Sequence, residues 1–152
     1  MKSIREIVTG KQQVYSVQMD MTVLDAVKYM AEKRIGAVPV VDGTRLVGIF
    51  SERDVITRVI AKGLRPDSTK VSEVMTTNLV VATEDESYES CLRKMKQASR
   101  RHLPIVARDS LKGVLSLRDL LMVDINEKDE KIEFLQSYLF HLPPDAQKRY
   151  QS

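Results

Sequence analysis

Gly48-Ile49-Phe50-Ser51-Glu52-Arg53-Asp54 returns 65 positions later as Gly113-Val114-Leu115-Ser116-Leu117-Arg118-Asp119. Both stretches read Gly, two apolar residues, Ser, two variable residues, Asp. The same offset carries Met30 to Met95 and Pro39 to Pro104 with no insertion between them. From Pro39 to Asp54, seven of sixteen positions are identical to their counterparts, where ordinary residue frequencies would give roughly one. The economical explanation is an internal duplication.

Working outward from the motif, each copy has the same periodicities. Residues 14–17 predict a short strand. Thr22, with Asp25 three residues on, opens a helix that keeps Val23, Val27, Met30 and Ala31 on one face. Residues 37–41 are a β-branched strand, Asp42-Gly43 is a hairpin signal and residues 46–50 return as its partner. Ser51 starts a second helix with Val55, Ile56, Val59 and Ile60 on its apolar side, and Gly63 can stop it. Copy two repeats the order with 79–82, 87–97, 102–106, 111–115 and 116–124. The expectation is an α+β pair of strand-helix-strand-strand-helix repeats with pseudo-two-fold symmetry, at 1–65 and 66–126, joined through the Pro66-Asp67-Ser68 segment. Residues 127–152 form a tail, in which Ile132, Leu135 and Leu139 predict a helix that Pro143-Pro144 ends. A unit of this size buries only a modest core, so the two sheets are expected to pack face to face and share one.

Composition narrows the function. The 152 residues are 43% hydrophobic and 30% charged, the balance of a folded domain. A net charge of +3 gives no support to a phosphate-backbone binder, and no recognition-helix pattern or basic stripe suggests nucleic acid. No apolar run of membrane-spanning length exists, and the charged opening at 1–10 has no signal-peptide core, so a cytoplasmic protein is expected. Cys91 alone cannot make an intrachain disulfide, and with only His102 and His141 besides it no Cys/His zinc cage assembles. Cys91 aligns with Ala26 on a helix and is read as a small core residue. The chain offers no nucleophile elbow, phosphate-cradling loop or dinucleotide fingerprint, so no enzyme and no catalytic cofactor are expected.

The motif has two physical readings. Ser between strand and helix caps the helix, with Asp returning the bond from the third helical position. The same placement sets a hydroxyl and a carboxylate where a sugar diol could be held, and the preceding Gly lets a ligand approach the backbone.

On these residues the chain resembles the CBS-domain family, named after cystathionine β-synthase, and specifically a free-standing tandem pair, or Bateman module, over about residues 1 to 126. The resemblance implies that Ser51 with Asp54, and Ser116 with Asp119, bind ribose. It implies an adenine slot along Ala37-Val38-Pro39-Val40 and His102-Leu103-Pro104-Ile105, with Ala37, Pro39 and Pro104 lining it. Basic residues before that strand hold phosphate in family members, and only copy two has them, as Arg100, Arg101 and His102. Copy one has Ile35, Gly36 and Ala37 there. The implied ligand is AMP, ADP, ATP or NAD, with S-adenosylmethionine disfavoured because a cationic sulfonium fits a basic cluster poorly. Occupancy would regulate a partner protein. A homodimer through the second helices and the tail is expected; the rival reading is a ligand-independent interaction module using the C-terminal helix.

Overall fold

The computed structural model describes residues 3–10 and 14–139. In chain order they form α1 (Ile4–Thr9), β1 (Val17–Gln18), α2 (Val23–Lys33), β2 (Ala37–Asp42), β3 (Arg45–Ser51), α3 (Glu52–Asp54), α4 (Val71–Val74), β4 (Ala82–Thr83), α5 (Tyr88–Ala98), β5 (His102–Ala107), β6 (Ser110–Ser116) and α6 (Leu117–Leu139). The expected α+β repeat order is present twice. The first strand of each repeat lies at Val17–Gln18 and Ala82–Thr83, C-terminal to most of the predicted 14–17 and 79–82.

Local chemistry explains the matched elements. Thr22 and Ser87 cap α2 and α5 by accepting the amide N–H of Asp25 and Ser90 at 3.2 and 3.1 Å. Each helix then ends on a left-handed non-glycine residue, Arg34 (φ 57°) and Ser99 (φ 52°), whose N–H closes the last turn. α3 runs into a π-helical stretch, Val55–Ile60, closed by Ala61 N–H to the Ile56 carbonyl and Leu64 N–H to the Val59 carbonyl, both at 2.9 Å.

The strands repeat the 65-residue offset in their register. β1 pairs parallel to β2 at Val17↔Val40, and β4 to β5 at Ala82↔Ile105. The hairpins match at Ala37↔Ser51 and His102↔Ser116, with irregularities at Val40/Val41 and Ile105/Val106. The two hairpins meet tip to tip, through the single pair Arg45↔Ser110, in one six-stranded sheet ordered β1-β2-β3-β6-β5-β4.

The single shared core is overturned: there are two, one on each hairpin's helix-covered side, while the opposite faces still meet, with Ala37, Pro39 and Ile49 of repeat one and His102 and Val114 of repeat two around one hollow. Val38, Val40 and Phe50 pack with Val23, Ala26, Met30 and Val59 in the first. Leu103, Ile105 and Leu115 pack with Cys91, Met95 and Leu120 in the second. The physical reason is that one face of each hairpin is already covered by helices. α4 adds Val71 and Val74 to the first core, whereas α1, from the start of the chain, adds Ile4 and Val8 to the second. Ser3 and Glu6 box the start of α1, and Arg5 fastens it to repeat two through Asp85 (3.1 Å) and Glu84 (3.5 Å).

The second helices split their apolar residues between core and solvent. Val59 is buried while Ile56 and Ile60 are 64% and 59% exposed. The second helix of repeat two and the expected tail helix are one continuous α6 through residue 126. Leu120 is buried on it, and Leu121, Ile125, Ile132 and Leu135 are exposed. The side chains of Phe134, Tyr138 and Leu139, and residues Pro143 and Pro144, lie outside the described residues. Among the described residues no helix is long and apolar enough to cross a membrane.

Candidate functional site

Each motif sits where its hairpin ends and a helix begins, and each forms a reciprocal cap. At the end of β6 the Ser116 N–H donates to Asp119 Oδ2 (2.8 Å), and the Asp119 N–H donates to Ser116 Oγ (3.0 Å). At the end of β3 the Ser51 N–H donates to Asp54 Oδ2 (3.0 Å), and the Asp54 N–H to Ser51 Oγ (3.3 Å). The capping reading of the pattern thus holds in both copies. The cap also fixes each carboxylate beside its strand end.

One cleft of about 690 Å³ draws on both repeats. Repeat one supplies Tyr15, Ile35, Ala37 and Pro39 on one wall, and repeat two supplies His102, Gly113, Val114 and Ser116 on the other. Val8 of α1 is also part of the lining, against Gly113, where a Cβ would lie 2.5 Å from Val8 Cγ1. A narrow hollow between Ala37, Pro39, Ile49, His102 and Val114 brings the offset partners Ala37 and His102 together. The chemistry is graded, with an apolar and aromatic wall, a Ser hydroxyl backed by a carboxylate, and imidazole and guanidinium groups at His102 and Arg34.

The predicted site residues therefore separate into groups. Ala37, Pro39, His102 and Ser116 line the cleft, and half-buried Asp119 is bonded to Ser116. Arg100 and Arg101 are exposed and outside that lining; the Arg101 carbonyl accepts the Leu117 N–H at 2.7 Å, just as the Gly36 carbonyl accepts the Glu52 N–H at 2.9 Å. Pro104 is buried in β5. Ser51 and Asp54 stand at the other motif, where Asp54 is 6% exposed and meets Thr76 Oγ1 (3.3 Å) and Arg58 Nε (3.5 Å).

Sequence reasoning missed Tyr15, Arg34 and Val8. Tyr15 packs edge-on to Tyr29, with ring centres 6.3 Å apart, and the Lys33 ammonium lies 5.7 and 5.8 Å from the two rings. The available signal was an aromatic just before β1 and a cation in the turn before Ile35-Gly36-Ala37. Cys91 is fully buried, and burial pushes its thiol up to about 11, so it is a core residue and not a nucleophile.

Known proteins share this fold. The sequence model of the CBS domain matches residues 4–61 and again 71–126. The Bacillus subtilis protein YhcV, a CBS domain-containing protein, is 38% identical over 120 residues, covering 79% of this chain and 84% of YhcV. The Arabidopsis thaliana protein CBSCBSPB3 is 41% identical over 113 residues, covering 74% of this chain but 20% of that protein. The chain thus spans about a fifth of the length of the Arabidopsis relatives of this type. The solved structure of a protein with CBS domains from Burkholderia ambifaria MC40-6 superposes with a TM-score of 0.73 at 33% identity, covering 82% of this chain and 95% of that one. CBSX2 in complex with AMP (TM-score 0.71, 24% identity, 84% and 99% covered) shares the fold. So does the domain pair of MJ0100, in complex with 5′-methylthioadenosine and S-adenosyl-L-methionine (TM-score 0.70, 22% identity, 84% and 98% covered). Two family matches in one chain, each coinciding with one copy of the folded repeat, mean that this protein belongs to the CBS-domain family as a tandem pair.

Proposed function

We propose that the pair is a regulatory module that takes an adenosine-containing nucleotide, AMP, ADP, ATP or NAD, in the cleft between the repeats and passes its occupancy to a partner protein. The observation that carries the reading is that Ser116 of the second motif and the Ala37–Pro39 edge of the first repeat share one cleft. Adenine fits the wall of Tyr15, Ile35, Ala37 and Pro39. The ribose diol goes to Ser116 and Asp119, and the phosphates go toward His102, with Arg101 and Arg100 preceding it in the chain. The AMP complex of a fold neighbour supports this ligand class. S-adenosylmethionine, bound by another neighbour, is disfavoured here because its sulfonium would meet His102 and Arg34.

The reading assigns the protein no catalysis, a cytoplasmic setting, and neither nucleic acid nor membrane as partner. Signalling requires that nucleotide bind one arrangement of the repeats more tightly than another, since equal affinity shifts nothing. We further read the protein as a homodimer, in which exposed Ile56 and Ile60 and their offset partners Leu121 and Ile125 form one self-complementary patch. Titrating AMP, ATP and NAD into the protein tests the ligand. The second reading, a ligand-independent interaction module, is favoured by the exposed Ile132 and Leu135 of α6; nucleotide that leaves the melting temperature unchanged would favour it.

A further inference from the structure

We propose that the two copies of the motif have divided their work: the copy ending in Asp119 serves the nucleotide, whereas Asp54 is a positioning residue that latches the connection between the repeats onto β3 and takes no ligand. The first half rests on the reading above; the second stands on geometry alone.

Asp54 is engaged from several sides. Its Oδ2 accepts the Ser51 N–H (3.0 Å) and the Ser51 hydroxyl (3.1 Å), and the Thr76 hydroxyl donates within 3.3 and 3.4 Å of its two oxygens. Arg58, one helical turn on, brings Nε to 3.5 Å from Oδ1 while its Nη1 donates to the Met75 carbonyl at 3.0 Å. Thr76 in turn pairs with β3, its N–H donating to the Ile49 carbonyl (2.8 Å) and the Ile49 N–H to its own (2.9 Å). The end of the connection is thereby held at Gly48, where a Cβ would lie 2.5 Å from Met75 Sδ and 3.0 Å from the Thr76 carbonyl. A carboxylate committed to donors of its own chain, and 6% exposed, cannot also take up a ribose diol without breaking the latch.

The residues around the motif differ between the copies. The position equivalent to Arg58 is Val123. Gly36 and Ala37 stand where repeat two has Arg101 and His102, and the Glu52 carboxylate lies so near Gly36 that a Cβ there would be 3.0 Å from Oε1. The equivalent of Glu52 is Leu117. An approaching phosphate would meet a like charge at the Asp54 end and an imidazole at the Asp119 end.

The test uses Asp54→Asn, Thr76→Val and Asp119→Asn in the full chain, with hydrogen exchange and melting measured without ligand and AMP titrated afterwards. Asp54→Asn should speed exchange at the Ile49 and Thr76 amides roughly tenfold or more and lower the melting temperature by about 2 to 4 °C. AMP should still bind at one molecule per chain with affinity within about threefold of the parent. Thr76→Val should give the same exchange signature more mildly, which covers the case of an Asp54→Asn protein that does not fold. Asp119→Asn should leave those two amides protected and weaken AMP roughly tenfold to a hundredfold. Undisturbed protection in both latch variants would overturn the proposal, as would a second AMP per chain that Asp54→Asn abolishes. If the parent bound no nucleotide, the functional reading would fall, and the exchange data would still decide the latch.

Discussion

Repeat one's core takes Val71, Val74 and Met75 from the segment leading into repeat two, while repeat two's core takes Ile4 and Val8 from the beginning of the chain. Strand register, helix caps and left-handed helix ends agree between the repeats to the residue. The covering helices cross over. α1 opens the first family match and packs on the second repeat; α4 opens the second match and packs on the first. The lesson is that neither repeat is complete alone, and the cleft obeys the same rule, with one wall from each.

The comparison breaks most visibly when the repeats are separated. Residues 1–65 alone lack Val71, Val74 and Met75, so the fragment should show no cooperative thermal transition by circular dichroism; a sharp transition would mean that the crossing is dispensable. Leu103→Ala and Leu115→Ala, which remove large fully buried side chains from the second core, should each cost about 2 to 5 kcal/mol in denaturant unfolding. Closer to the crossing, Gly113→Ala forces a Cβ against Val8 and should cost about 1 to 3 kcal/mol. Because Val8 also lines the cleft, the same change should alter nucleotide affinity, which a purely structural contact would not.

A smaller effect separates the repeats by pH. Burial raises the Glu86 carboxyl, but the Lys94 ammonium at 2.6 Å, the Thr83 N–H and the Ser90 hydroxyl outweigh it and hold the group below its ordinary value of 4.5. A depressed carboxyl stabilises the fold fully above about pH 4.5 and loses that contribution as the pH falls through its folded value. Glu86→Gln should therefore flatten the acid limb of the stability curve by under about 1 kcal/mol, because the Lys94 pair is partly solvent-exposed. Met21, its offset partner, contributes nothing there. An unchanged acid limb would remove Glu86 from the account.

The sequence made the repeat legible because identities at Gly48/Gly113, Ser51/Ser116 and Asp54/Asp119 record backbone demands that periodicity alone cannot. The hairpins and caps followed from them. The crossing of α1 and α4 was not legible: Ile4 and Val8 announce a buried face without naming the repeat that buries it, and contacts between distant segments leave no local pattern. The site was half legible for the same reason. Ser116 and Ala37 could be named singly, but pairing Ser116 with Ala37 required the crossed topology. Asp54 and Asp119 read alike until Thr76 and Arg58, whose offset partners do not match, were placed around one of them. The helix of 23 residues at α6 was divided at residue 126 because the repeat pattern ends there, although the backbone does not.

The most direct measurement is calorimetric titration of AMP into the parent and Asp119→Ala proteins. The account predicts saturable binding at one AMP per chain, weakened roughly tenfold to a hundredfold by the substitution, since a hydrogen bond to an ionised carboxylate contributes about 1.5 to 3 kcal/mol. No heat from AMP, ATP or NAD with the parent, or equal affinity in both proteins, would contradict it.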